Sequence, residues 1–118
     1  MTDESVYTIF KANVPEGAVE QLMEVAAAMS ELTSSEPGAI AYEWSLSEDQ
    51  RRLHVYERFV DSEAGMAHLE NAGPELSKLL EIVTLEEIEC YGPASDELRE
   101  AVSGFPVKFL RRFEGFHR

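Results

Sequence analysis

Glu57 and His68 are the side chains in this sequence best suited to handling a proton. They lie in the stretch ERFVDSEAGMAHLE (57–70), where a strand ending at Asp61 hands over to a short helix. On a strand, Glu57 and Phe59 share a face, because alternate residues point the same way. If that face lines an apolar enclosure, Glu57 is a carboxylate placed to act as a general base or a hydrogen-bond partner. The competing reading is a structural ion pair with Arg58 of another chain, Arg51 or Lys11. His68 has Gly65, Leu69 and Ala72 at the spacings that form one inward helical stripe. It reads either as a group that titrates near neutrality and moves protons, or as a histidine at the core margin bonded to backbone.

Other residues qualify less directly. Trp44 and Tyr42 share an apolar strand face with Ile40 and Leu46, which suits core or interface packing before substrate contact. Asn13, near the end of the first strand, offers an amide to a bound oxygen or serves a turn. Cys90 alternates with Ile88 and reads as a small core residue. There is no glycine-rich nucleotide loop and no His, Asp or Glu grouping with metal spacing, so neither a metal nor a cofactor is expected.

These side chains need elements to position them. SVYTIFKANV (5–14) is rich in β-branched and aromatic residues, stops at Pro15 and reads as a strand with two largely apolar faces. Val19, Leu22, Ala26 and Met29 form a helical stripe that ends at Glu36-Pro37-Gly38. AIAYEWSLS and RLHVYERFV flank the polar turn EDQR and predict a hairpin. Asp61 is a good N-cap for the next helix, which is expected to break at Gly73-Pro74, with ELSKLLEIV as a separate helical piece. TLEEIECYG is acidic enough to be an edge strand, ASDELREAV reads as a short helix, and FPVKFLRRFEGF as a fifth strand.

The order is β-α-β-β-α-β with a helix-strand tail. Two βαβ halves joined by a hairpin make an α+β, ferredoxin-like plait, with helices on one face of an antiparallel sheet and the first and third strands inside it. We expect a single domain over 1–118, a core over 5–92, and an extension over 93–118. The bare sheet face then requires a cover, and a second copy of the chain is the economical one.

The charge distribution narrows the partners. A net charge of −13 argues against nucleic acid, whose phosphates need a basic face, and equally disfavours anionic membranes. Residues 107–118 oppose that trend with four basic side chains and one acid, leaving six basic and 22 acidic side chains in residues 1–106. This +3 tail is expected to pair as a strand against the partner subunit, beside the acidic fourth strand. No apolar run is long enough to span a bilayer, the start MTDESV is acidic, and the single cysteine excludes an intrachain disulfide. The cytoplasm is the expected compartment.

The segment EPGAIAYEWSLSEDQRRLHVYERFVDSEAGMAHLE (36–70) resembles the antibiotic biosynthesis monooxygenase domain, a family of small dimeric α/β barrels. Pro37-Gly38, Tyr42, Glu57, Phe59, Ser62-Glu63-Ala64 and His68 occupy its characteristic places. The resemblance implies cofactor-independent monooxygenation of a small aromatic, quinol-like substrate by O2 in a homodimer. His68 and Glu57 would then handle the proton, Phe59 and Trp44 would be walls, and Tyr42 and Asn13 further contacts. Two alternatives share the fold: a non-enzymatic binder of small hydrophobic ligands linked to stress, and a haem-degrading enzyme. Against the latter, Phe59 stands where a haem degrader has tryptophan, and Asn13 lies late for its first-strand asparagine.

Overall fold

The computed structural model describes residues 3–118, so Met1 and Thr2 of the acidic start lie outside it. The elements are β1 (Val6–Asn13), α1 (Val19–Ser34), β2 (Ala39–Leu46), β3 (Arg52–Phe59), α2 (Ser62–Ile82), β4 (Thr84–Tyr91), α3 (Asp96–Ala101) and β5 (Val107–Leu110). They build one sheet in the order β2-β3-β1-β4-β5. β1 and β3 therefore lie inside it, as the plait order predicts. Both neighbours of β1 run antiparallel to it, and their registers set Thr8 beside Glu57 on one side and Cys90 on the other. The fold is the α+β, ferredoxin-like one.

The core lies between the inner sheet face and the two long helices. Phe10, Ala12, Leu53 and Val55 from the sheet meet Leu22, Val25 and Met29 of α1 and Ala72 and Leu79 of α2, all buried. On the opposite sheet face Tyr7 stacks on Tyr91 at 4.6 Å and meets Tyr56 edge-on at 5.8 Å. Lys11 reaches Glu89 on that face at 2.8 Å.

Five expectations are corrected. Gly73-Pro74 does not break α2, which runs unbroken from Ser62 to Ile82 with Pro74 inside it. Proline removes one helical hydrogen bond, but Ala72 and Leu79 are buried on either side of it, and that burial outweighs the loss. β4 is not an edge, because β5 pairs with it in parallel on its far side. The tail thus pairs within its own chain rather than with a partner. Lys108 meets Glu87 of β4 at 2.9 Å, and Arg99 of α3 lies over the Phe109 ring at 4.2 Å. The fifth strand is also shorter than 105–116, ending at Leu110, and Phe113 beyond it is 93% exposed. Finally, β2 shifts register between Ala39 and Ala41, so Ile40 leaves the face of Tyr42 and Trp44 and is half exposed.

Gly73 gives the simplest stability test. Beyond its chain neighbours and the helix's own backbone, a Cβ placed there meets nothing within 4 Å, so the glycine's entropic cost is opposed only by the contact of a new Cβ with the following Pro74 ring. Gly73→Ala should stabilise the chain by roughly 0.5–1 kcal/mol. Thermal unfolding should show a rise of a few degrees, and a lower melting temperature would mean that the helix needs the glycine at its proline.

Candidate active site

A cavity of about 90 Å³ lies between the sheet and α2, extending to the C-terminal extension. Its lining is mostly apolar, with Val6 and Phe10 of β1, Val55 and Phe59 of β3, and Leu69, Ala72 and Leu76 of α2. The polar groups reaching it are Thr8, Tyr42, Trp44, Glu57, His68 and Cys90. Five of the predicted site residues, Tyr42, Trp44, Glu57, Phe59 and His68, are therefore brought together. Asn13 is not. It pairs with Arg52 and Thr84 at the far end of β1 and is absent from the lining.

Local chemistry explains how His68 arrives. Asp61 accepts a hydrogen bond from the Ala64 amide at 2.9 Å and so fixes the first turn of α2. Gly65 admits Phe59 and Leu98 close to the helix, at 3.7 and 3.8 Å from where its Cβ would be. One turn later His68 points into the cavity with a side chain only 6% exposed. Its Nε2 lies 3.0 Å from Glu57 Oε1. Its Nδ1 lies 2.9 and 3.0 Å from the two carboxylate oxygens of Glu36. The Phe59 ring tilts against the imidazole at 5.0 Å and Tyr42 meets it edge-on at 5.6 Å.

Within the chain, none of the candidate ion-pair partners reaches Glu57. Lys11 is taken by Glu89, Arg51 donates to the Val14 carbonyl, and Arg58 donates to Ser5 on the other sheet face. Glu57 instead accepts from His68 and, at 3.4 Å, from the Thr8 hydroxyl. Nor is His68 bonded to backbone, since each ring nitrogen faces a carboxylate. Glu36 is the residue that sequence reasoning missed. It precedes Pro37 in a helix-breaking loop, 32 positions from His68, and no periodicity links the two.

Electrostatics follow from that arrangement. Burial by itself pulls the His68 pKa down, but the hydrogen bond and charge of Glu57, then the charge and hydrogen bond of Glu36, outweigh it. The net shift is upward from 6.5. Burial, then the Glu57 charge, pushes the Tyr42 phenol well above its ordinary range, so it stays protonated. Burial likewise keeps the Cys90 thiol protonated. Trp44 Nε1–H and the Thr33 hydroxyl approach the Tyr42 phenol without closing a hydrogen bond, leaving the buried Trp44 donor unpartnered. Among the described residues no group of three could hold a metal ion; the imidazole stands between the two carboxylates, so these donors face one another and not a common centre. No described helix is long and apolar enough to cross a membrane.

The raised His68 pKa gives stability a definite pH dependence. Below 6.5, the ordinary value, folded and unfolded chains both hold the imidazolium, and the carboxylate contacts contribute in full. As pH rises through the higher folded-state value, that contribution is lost. The difference in unfolding free energy between wild type and His68→Ala should therefore be largest near pH ~6 and shrink toward pH ~9. A difference that instead grows as pH rises through the ordinary value would show that His68 is uncharged in the folded chain, and a constant one that folding leaves its pKa unshifted.

Comparison with known proteins adds family and fold. The family profile described as antibiotic biosynthesis monooxygenase matches residues 5–73. No curated protein matches closely enough to count. Among solved structures, MupZ from Pseudomonas fluorescens superposes with a TM-score of 0.90 at 23% identity, covering 100% of this chain and 92% of its own. SnoaB from Streptomyces nogalater, a cofactor-independent oxygenase, gives a TM-score of 0.67 at 18% identity, covering 78% and 95%. Rv0793 from Mycobacterium tuberculosis gives 0.67 at 21%, covering 78% and 97%. At these identities the structural likeness is one of fold, while the profile spans more than half of the chain. The chain belongs to the antibiotic biosynthesis monooxygenase family.

Proposed function

We propose that this protein is a cofactor-independent monooxygenase acting on a small phenolic or quinol-like substrate with O2. The observation that carries the reading is the Glu57–His68 pair inside a mostly apolar cavity with aromatic walls. Family membership and the fold shared with SnoaB, itself a cofactor-independent oxygenase, support it.

The chemistry needs only a substrate that supplies its own electrons. Glu57 takes the phenolic proton, and the phenolate transfers electron density to O2 as the carbon para to its oxygen forms a C–O bond. Glu57 returns the proton to the peroxide. Loss of the ring C–H proton with O–O cleavage then leaves a quinone and one water, so one oxygen atom enters each product. The apolar walls Phe59 and Trp44 exclude bulk water, and the unpartnered Trp44 N–H and the protonated Tyr42 are donors for substrate oxygens. We further infer a homodimer formed through the sheet face that carries Tyr7, Tyr56 and Tyr91, and a cytoplasmic location. Asn13 has no role in this site.

The test is O2 uptake against a panel of phenols, naphthols and hydroquinones. Wild type should consume one O2 per quinone formed, and both Glu57→Gln and His68→Ala should cut turnover by roughly 10²-fold or more. Thermal stabilisation by these compounds with no turnover would instead favour a dimeric binding protein of the same fold.

Haem does not suit this site. Both His68 nitrogens are engaged by carboxylates, Phe59 stands where a haem degrader has tryptophan, and Asn13 lies away from the cavity. Titration with haem followed by reductant and O2 should leave the Soret band unconverted to a bilin-like product. Rapid stoichiometric conversion would reverse this ranking.

A further inference from the structure

Glu36 lies outside the cavity, behind the histidine, where the loop between α1 and β2 meets the first turns of α2. It opens onto a surface depression with Pro37, Gly38, Asp61, Ala64 and Asn71. Its own side chain is nevertheless only 12% exposed. Three donor contacts fix it there: His68 Nδ1 faces both oxygens, and Asn71 Nδ2 donates to Oε2 at 2.8 Å. A carboxylate held by two partners over a nitrogen that faces away from the cavity is built to orient the ring.

We propose that Glu36 is the positioning residue of this site, holding the His68 imidazolium at Nδ1 so that Nε2–H is the group that changes partner during the reaction. The role rests on the acid-base reading above. In the resting site Nε2–H donates to the Glu57 carboxylate. When Glu57 takes the substrate's O–H proton it becomes neutral and releases Nε2–H, which turns to the new phenolate oxygen. Protons and charge balance within the cavity: one proton moves from substrate to Glu57, and His68 stays an imidazolium throughout. The histidine then acts as a fixed cation and hydrogen-bond donor, and Glu57 as the base.

Few other groups compete for control of the imidazole. Tyr42 of β2 and Cys90 of β4 are the further titratable side chains lining the cavity, and burial keeps both protonated. β1 contributes the neutral Thr8 and α3 the apolar Leu98. Glu36 and Glu57 are thus the charges that face His68.

The experiment is an NMR titration of the ¹⁵N-labelled histidine rings in full-length wild type, Glu36→Gln and Glu63→Gln, with His68→Ala to assign the signal. Glu63 is an acid of the same depression and lies outside the His68 contacts. Glu36→Gln should lower the His68 midpoint by at least one pH unit, a tenfold change in its ionisation constant, while Glu63→Gln leaves it in place. The second readout is the visible absorbance of bound 4-nitrophenol. Its phenolate should form at lower pH in wild type than in Glu36→Gln by a similar factor. If Glu36→Gln does not fold, Asn71→Ala serves, with a smaller shift in the same direction. An unmoved His68 midpoint in a folded variant would overturn the proposal. Absence of 4-nitrophenol binding to wild type would count against the aromatic-substrate reading, and the ring titration would still decide the role of Glu36.

Discussion

The cost of taking charge out of water shapes this protein more than any other single constraint. Glu36, His68 and Glu57 have side chains 12%, 6% and 16% exposed, a depth at which an unpaired polar or charged group is costly. They persist as a linked unit, with each imidazole nitrogen on a carboxylate. That requirement ties together three distant parts of the chain: the end of the first helix, the third strand and the second helix. Loss of one member leaves the others buried without compensation, so the site and the packing around it are one structure.

Much of the fold was legible because its signals are local. Apolar residues on both faces of β1, the stripe of α1, the hairpin turn and the Asp61 cap each reflect physics acting within a few residues. Alternation set Glu57 and Phe59 on one strand face and helical spacing put His68 on an inward stripe, but it was the family resemblance that joined them into one site. Glu36 was not legible, because what gives it meaning is a contact across the fold. The Gly73-Pro74 pair misled by local rules: its cost is real, but burial on both sides of it decides the outcome. The acidity of β4 misled similarly, because a basic strand from the same chain answers it.

The extension after β4 belongs to the site as much as to the surface. Leu98, Val102, Phe105 and Val107 line the cavity from beyond residues 5–73, where the family match lies. α3 packs Leu98 against the Val6 and Phe59 cluster, and β5 holds the segment by pairing with β4. Residues 5–73 thus supply Tyr42, Glu57 and His68, while this extension sets the far wall and with it the shape of the cavity.

Gly38 gives the charged unit its mechanical footing. The Gly38 carbonyl accepts the Val60 amide at 2.9 Å, and a Cβ at Gly38 would fall 2.5 Å from that of Ala64. The loop bearing Glu36 is therefore pressed against the very turn of α2 that leads to His68. Because Val60 continues directly from β3, the same glycine also ties that loop to the sheet, so helix, loop and sheet meet at one residue whose enlargement would have to displace the segment that carries Glu36.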